Sequence, residues 1–138
     1  MEIQVVAEDI LKENRVCTLA TVGTSGPWAT TLFFVNDGLR LYVTIEKAEK
    51  TASNIKRDPR VGVAVDNRSP VSFIQMAGRA AILSGAEADK AWSFILERLP
   101  EIQGLSTPES HYAVRIDPSK INVSDVPKGW FPAKVLEI

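Results

Sequence analysis

The fold of this chain is decided by residues 41–65, which read LYVTIEKAEKTASNIKRDPRVGVAV. The segment begins with β-branched and aromatic residues, typical of a strand, and this strand is expected to end at Thr44. An apolar stripe then recurs at helical spacing, which predicts a short helix over residues 47–57. Asp58-Pro59 ends that helix, because a residue before proline is pushed away from helical angles. The apolar run Val61–Val65 predicts the next strand.

Two more strands and a helix precede this segment. Apolar residues at helical spacing predict an amphipathic helix over residues 3–14. The Thr- and Val-rich stretch Val16–Thr24 predicts a strand, and Trp28–Val35 predicts the next one after a Gly-Pro turn. Asn36-Asp37-Gly38 is a hairpin signal, so Leu39–Thr44 should pair with the strand before it.

The remainder of the chain continues the β pattern. Val71–Leu83 predicts a long strand, in which Gly78 marks a bulge or bend. Helical spacing predicts a helix over residues 86–98. Two short strands follow, Tyr112–Ile116 and Ile121–Val126, with a turn at Asp117-Pro118 between them. The tail Val126–Ile138 is expected to be irregular and apolar.

This order of elements predicts a mainly β fold with short helices. Six to seven antiparallel strands joined by tight turns favour a closed barrel, because closure removes exposed strand edges. A doubly wound sheet fits poorly, because its parallel strands need long crossovers and the first three strands here are joined by tight turns. No repeat or linker interrupts residues 1–138, so we expect a single domain.

Composition narrows the possible partners and the compartment. Sixteen basic and seventeen acidic residues leave a formal charge of −1, which provides no electrostatic reason to expect nucleic acid or an anionic membrane. No apolar run approaches the roughly 20 residues of a membrane span, and we expect no signal peptide. Cys17 is the only cysteine. We interpret it as a core residue and predict a cytoplasmic protein.

Catalytic clusters are absent from the sequence. His111 is the only histidine, which excludes a two-histidine metal site within one chain and leaves too few preferred zinc ligands. Neither a Walker-type loop nor a G-x-G-x-x-G motif occurs. No catalytic residue is assigned, so redox chemistry would have to come from a cofactor.

The start of the helix predicted over residues 47–57 is a candidate phosphate site. The first turn of a helix carries unpaired N–H groups and the positive end of the dipole. Lys50 adds a charge there and Thr51 adds a hydroxyl donor. The alternative is an ordinary solvated helix face with scattered charges.

The same stretch resembles the pyridoxamine 5'-phosphate oxidase-like family of FMN-binding split-barrel proteins. The family pattern is an aromatic residue and a threonine on a strand, a basic residue, Asn-Ile, and Asp-Pro-x-Val. Here it is carried by Tyr42, Thr44, Lys50, Asn54, Ile55, Asp58, Pro59 and Val61. The resemblance extends in element order over nearly the whole chain, including Gly78 in the fifth strand.

The resemblance implies a split-barrel homodimer with one FMN per subunit at the interface. Lys50 and Thr51 would bind the FMN phosphate. The ribityl chain and the flavin ring would be lined by Ala29, Thr30, Thr31 and Thr44, partly through backbone groups. Trp130 would cover the flavin from the partner subunit, with core or dimer packing as the alternative.

The implied function is that of an FMN-dependent oxidoreductase acting on a small molecule. Two basic residues of true pyridoxamine phosphate oxidases are replaced, one at Ala29 or Thr30 and one at Thr51, and a glutamine is replaced at Phe73. Only the fold and cofactor are therefore carried over, and not the vitamin B6 substrate. Deazaflavin F420 or haem, with His111 as ligand, is the alternative cofactor. A non-enzymatic flavin-binding module, or a member that binds nothing, is the alternative in a different functional class.

Overall fold

A computed structural model describes residues 2–138, which form seven strands, three α-helices and one 3₁₀ turn. In chain order these are α1 (Ile3–Lys12), β1 (Val16–Gly23), β2 (Gly26–Asp37), β3 (Arg40–Glu46), α2 (Lys50–Arg57), β4 (Arg60–Arg68), β5 (Val71–Ile82), α3 (Gly85–Arg98), the 3₁₀ turn (Pro100–Ile102), β6 (His111–Asp125) and β7 (Trp130–Glu137). The mainly β prediction is confirmed.

Six of the strands close into an antiparallel barrel. The sheet order is β3-β2-β1-β4-β5-β6-β7, and β3 also pairs with β6, which closes the ring. The first half of β6 pairs with β3 and its second half pairs with β7, so β7 is an extra strand outside the barrel. The predicted closure is confirmed.

Alternating apolar side chains fill the barrel. On β3, Leu41, Val43 and Ile45 are buried while the residues between them are partly exposed. This period of two directs one face of the strand into the core. Helices α1 and α2 add buried residues to the same cluster, whereas α3 covers the outside of the barrel with a second, smaller cluster.

The turn predicted at Asp117-Pro118 does not exist, and one strand, β6, replaces the two predicted ones. Asp117 pairs with Arg79 and Pro118 pairs with Gly78 on β5, where the register shifts between Ala77 and Gly78. This shift confirms the irregularity predicted at Gly78, although the extra residue of the bulge, Ser119, belongs to β6. A Cβ atom at Gly78 would lie 2.6 Å from the carbonyl oxygen of Asp117, so only glycine permits this approach.

The prediction of an irregular tail is also wrong. Residues 130–137 form β7, because the second half of β6 offers a free edge for pairing. Leu136 packs against the core from this strand. Strand β3 also runs on to Glu46, since its pairing with β6 continues to His111, and helix α2 begins only at Lys50.

Candidate functional site

The barrel is split along the line between β2 and β3. These strands pair only from Phe34–Val43 to Asp37–Arg40. Residues 26–33 of β2 pair with β1 alone among the described residues, so their other edge carries unpaired backbone groups. We call this stretch the open edge of β2.

The ladder register shows which backbone groups face the open edge. The N–H of Phe34 donates to the carbonyl oxygen of Arg15 at 2.8 Å, so Phe34 points its backbone groups toward β1. Backbone direction alternates along an antiparallel strand. The N–H and C=O groups of Ala29, Thr31 and Phe33 therefore face away from β1, where they are free to bind the polar edge of a ligand.

Helix α2 borders the split and is attached to β1. The Nδ2 of Asn54 donates to the Oγ1 of Thr21 at 3.0 Å, and both side chains are buried. The guanidinium of Arg57 donates to the carbonyl oxygen of Val22 at 2.6 Å. These bonds hold one face of the helix against the strand next to the open edge.

The Lys50 ammonium lies over the open half of β2. Its Nζ is 4.6 Å from the centroid of the Trp28 ring, and Trp28 is 42% exposed. Such a cation–π contact at an exposed site contributes about 0.5–1 kcal/mol. No carboxylate of residues 2–138 lies within 4 Å of Lys50. Its charge is therefore available to an anion.

The first turn of α2 also has donors without partners. Glu49 is the N-cap residue and makes no side-chain cap, while its carbonyl accepts from the N–H groups of Ala52 and Ser53. Within residues 2–138, the N–H groups of Lys50 and Thr51 donate to no backbone group. Free N–H groups beside a cation are the chemistry that phosphate requires.

Thr51 is fully buried, and its Oγ1 has no hydrogen-bond partner. A buried hydroxyl without a partner costs about 1–3 kcal/mol. A ligand oxygen would satisfy it, but the hydroxyl is not accessible from solvent. Thr51 therefore has an unsatisfied donor next to the start of α2, but its hydroxyl is covered.

The other predicted residues on β2 and β3 differ in their exposure and in their contacts. Thr30 is half-buried and lies on the same face of β2 as Trp28, while Ala29 and Thr31 are exposed. Thr44 donates from Oγ1 to the Oγ of Ser106 at 3.1 Å, so its hydroxyl points to the loop after α3.

Trp130 lies apart from the other predicted residues of its own chain. It begins β7, pairs with Asp125 and packs partly against the core. Around the closed barrel, two strands, β3 and β6, separate β7 from β2. The aromatic residue beside Lys50 in the same chain is Trp28, which the sequence placed beside the pocket but which was interpreted as a packing residue. An aromatic residue directly before Ala29, at the start of a strand, was the available signal.

A broad face on the outside of β1, β4 and β5 is exposed and carries small side chains, among them Ala20, Gly62, Ala64 and Ala77. A cavity of about 580 Å³ adjoins it, between Phe73 on β5 and Phe131 on β7. Phe131 is 69% exposed. We call this surface the small-residue face.

Residues 2–138 contain neither a helix suited to cross a membrane nor a cluster of metal-binding side chains. None of the helices in residues 2–138 has both the length and the apolar character that a membrane crossing requires. In the same residues, no three His, Cys, Asp or Glu side chains are grouped so that they could hold a metal ion.

The closed barrel with an open edge beside α2 defines a class, the split-barrel proteins. A sequence model described as pyridoxamine 5'-phosphate oxidase matches residues 4–125, and the chain belongs to this family. General stress protein 26 of Bacillus subtilis is 33% identical over 94 residues, which are 65% of this chain and 67% of that protein.

Two solved structures share the fold. A haem-binding protein from Mycobacterium smegmatis superposes with a TM-score of 0.79 at 18% identity, over 95% of this chain and 57% of that one. A FAD-binding protein from Mesorhizobium loti superposes with a TM-score of 0.71 at 22% identity, over 86% of this chain and 91% of that one.

Proposed function

We propose that this chain is a flavoprotein that binds FMN in the split beside α2 and acts as an oxidoreductase on a small molecule. One observation carries the proposal: the open edge of β2 lies beside a helix start with free N–H groups and an unpaired Lys50 ammonium. Membership of the pyridoxamine 5'-phosphate oxidase family supports a flavin as the ligand.

The residues of this chain fit the parts of FMN. Lys50 and Thr51 would hold the phosphate, and the backbone groups of Ala29 and Thr31 would bind the polar edge of the ring. Trp28 offers an apolar wall next to them. When bound, the flavin supplies hydride or electron transfer, and these residues bind and orient it.

The proposed assembly is a cytoplasmic homodimer joined through the small-residue face. Small side chains let two sheets approach closely, and the exposed Phe131 would add apolar contact area. Trp130 would then approach the flavin of the partner subunit. The thiol of Cys17 is buried, and burial raises its pKa to about 12, which suits a reduced core cysteine.

The absorbance spectrum and the thermal stability of the purified protein test the proposal. We expect flavin absorbance, or a rise in melting temperature when FMN is added, because FMN binds only the folded state. Lys50→Gln should weaken FMN binding roughly tenfold or more, since it removes a charge-assisted hydrogen bond. Lys90→Gln, on the exposed surface of α3, is the matched control and should leave binding unchanged.

Absence of flavin absorbance and of any FMN effect would contradict the proposal. A Soret band would instead indicate haem, the function that the likeness to a haem-binding protein suggests. His111, whose Nδ1 lies 2.7 Å from the Oγ of Ser110, would be the ligand to test. An F420 spectrum would identify deazaflavin, and a bound flavin that reduced nicotinamides never reduce would favour a non-enzymatic module.

A further inference from the structure

Two lysine side chains, those of Lys47 and Lys56, contact the same aromatic ring, that of Tyr112, next to α2. The Nζ of Lys56 donates to the Oη of Tyr112 at 2.9 Å and lies 4.8 Å from the centroid of its ring. The Nζ of Lys47 lies 5.2 Å from the same centroid. All three side chains are at least partly exposed.

The fold holds these groups together. Tyr112 pairs with Ile45, so its side chain lies on the inner face of the sheet, at the end that α2 closes. Lys56 is in the last turn of α2, and Lys47 is in the turn before the helix. The backbone N–H of Lys47 donates to the carbonyl oxygen of Ser110 at 3.0 Å, which anchors that turn next to Tyr112.

This cluster is separate from the groups around Lys50. Asn54 and Arg57 bind residues of β1, and Lys50 lies over Trp28 on β2. Lys56 projects from a different face of the helix, toward β6. An anion held by the cluster would therefore occupy a second position.

The two ammonium groups have no counter-ion in the described chain. No carboxylate of residues 2–138 lies within 4 Å of Lys47 or Lys56, although Glu46 and Glu49 are close in sequence. Two like charges beside one ring repel each other. An anion between them would remove that repulsion.

Tyr112 supplies the third donor. Because its oxygen accepts from Lys56, its own O–H proton is free to donate outward. The hydrogen bond from Lys56 also lowers the pKa of the Tyr112 phenol, outweighing a partial opposing effect of burial. We propose that Lys47, Lys56 and Tyr112 form a binding site for an oxyanion, the phosphate or carboxylate group of a small molecule.

The chain has only two tyrosines, Tyr42 and Tyr112, which makes the site easy to observe. The full-length protein with ¹³C-labelled tyrosine is titrated with inorganic phosphate at constant ionic strength, balanced with chloride. Tyr112→Phe assigns the two resonances. We expect a saturable shift of the Tyr112 resonance, and no shift of Tyr42. A parallel titration with acetate distinguishes a carboxylate ligand from a phosphate ligand.

Variants separate this site from the one proposed for FMN. Lys47→Gln and Lys56→Gln should each weaken phosphate binding at Tyr112 roughly tenfold, because each removes one of two charges. Lys50→Gln should leave the Tyr112 titration unchanged, so a failed flavin proposal would not affect this result. Circular dichroism melts verify that each variant is folded.

Two results would overturn the proposal. One is a Tyr112 resonance that does not saturate with either anion. The other is a titration that Lys50→Gln abolishes while Lys47→Gln and Lys56→Gln leave it intact, which would place the anion at the start of α2. Saturation by phosphate alone, by acetate alone or by both would support the site and identify its preferred ligand class.

Discussion

The barrel has two seams at β3 that differ in what they bury. On one side, β3 pairs with β6 over six residues, from Leu41–Ile116 to Glu46–His111. On the other side, β3 pairs with β2 over only four residues before the strands part. The closed seam buries Ile116 completely, whereas Phe33 on the split side is 44% exposed.

This difference shows how one small barrel provides both stability and a site. The closed seam satisfies its backbone groups internally and removes apolar surface from water. The split seam leaves backbone donors and acceptors along β2, with Trp28 and Phe33 exposed beside them. We expect substitutions at the closed seam to act on folding, and substitutions at the split to act on binding.

The largest effect should follow from Ile116→Ala at the closed seam. Removing this fully buried side chain loses its burial and leaves a cavity, so we expect the free energy of unfolding to fall by about 2–5 kcal/mol. Phe33→Ala on the split side should cost less than about 1 kcal/mol, because much of its ring is exposed. Guanidinium denaturation of both variants measures the contrast, and equal losses would contradict it.

A smaller effect is expected at the helix that borders the split. Asn54→Ala breaks the buried hydrogen bond to Thr21 and leaves that hydroxyl without a partner. We expect a loss of about 1–3 kcal/mol in urea denaturation. Ser53 directly precedes Asn54 but is exposed, so Ser53→Ala should keep the free energy of unfolding within about 0.5 kcal/mol of the wild-type value. A neutral Asn54→Ala would show that the helix is held by its apolar residues alone.

A substitution in the paired part of the split seam, the hairpin between β2 and β3, should lower the free energy of unfolding by less. Gly38 has a φ of +63° in the hairpin between β2 and β3, where the Nδ2 of Asn36 donates to its carbonyl at 2.9 Å. Gly38→Ala should cost about 1 kcal/mol, because other residues rarely adopt this conformation. Thermal denaturation measures the loss. A gain in stability would mean that the turn rearranges without strain.

The smallest effect concerns the pH dependence of the closed seam, where Asp117 on β6 accepts from Arg115 at 2.8 Å and from Arg40 on β3 at 2.7 Å. Burial raises the pKa of Asp117, but these hydrogen bonds outweigh it and hold the pKa below its ordinary value. The stabilisation should be full above the ordinary aspartate pKa of about 3.9 and lost as the pH falls through the lower folded value.

Denaturation of Asp117→Asn across the acid range tests this expectation. The variant should be less stable by under about 1 kcal/mol near neutral pH, since the ion pairs are partly exposed. The difference from wild type should narrow as the pH falls below about 4. The hydrogen bond from Arg60 lowers the pKa of Asp58 to about 2. Asp58 is present in both proteins, so its contribution to the pH dependence cancels from the difference in stability. A difference that stays constant with pH would exclude the ion pairs as its cause.

Much of the fold could be predicted because its signals are local. The hairpin at Asn36-Asp37-Gly38 and the end of α2 before Pro59 depend on neighbouring residues, and both are confirmed. The bulge at Gly78 was predicted from a glycine within a strand pattern. The prediction failed at Asp117-Pro118 because β6 absorbs these residues in a bulge, with Ser119 as the extra residue, opposite Gly78 of β5.

Less of the candidate site than of the fold could be predicted from the sequence. Lys50 and Thr51 could be chosen because a helix start and a cation are visible in the sequence. The contact of Lys50 with Trp28 and the absence of a partner for the Thr51 hydroxyl depend on packing between distant segments. The roles of Ala29, Thr30, Thr31, Thr44, Lys50, Thr51 and Trp130 in cofactor binding remain predictions.

The sequence alone determined strands β1 to β5, the short helices and the barrel class, because hydrophobic period and turn chemistry act over a few residues. Only the tertiary structure decided that β3 closes on β6, that β2 keeps an open edge, and that Lys47 and Lys56 meet at Tyr112. Each of these features depends on how segments that are far apart in the chain are placed relative to one another. Their proximity follows from the closure of the barrel, which no local pattern encodes.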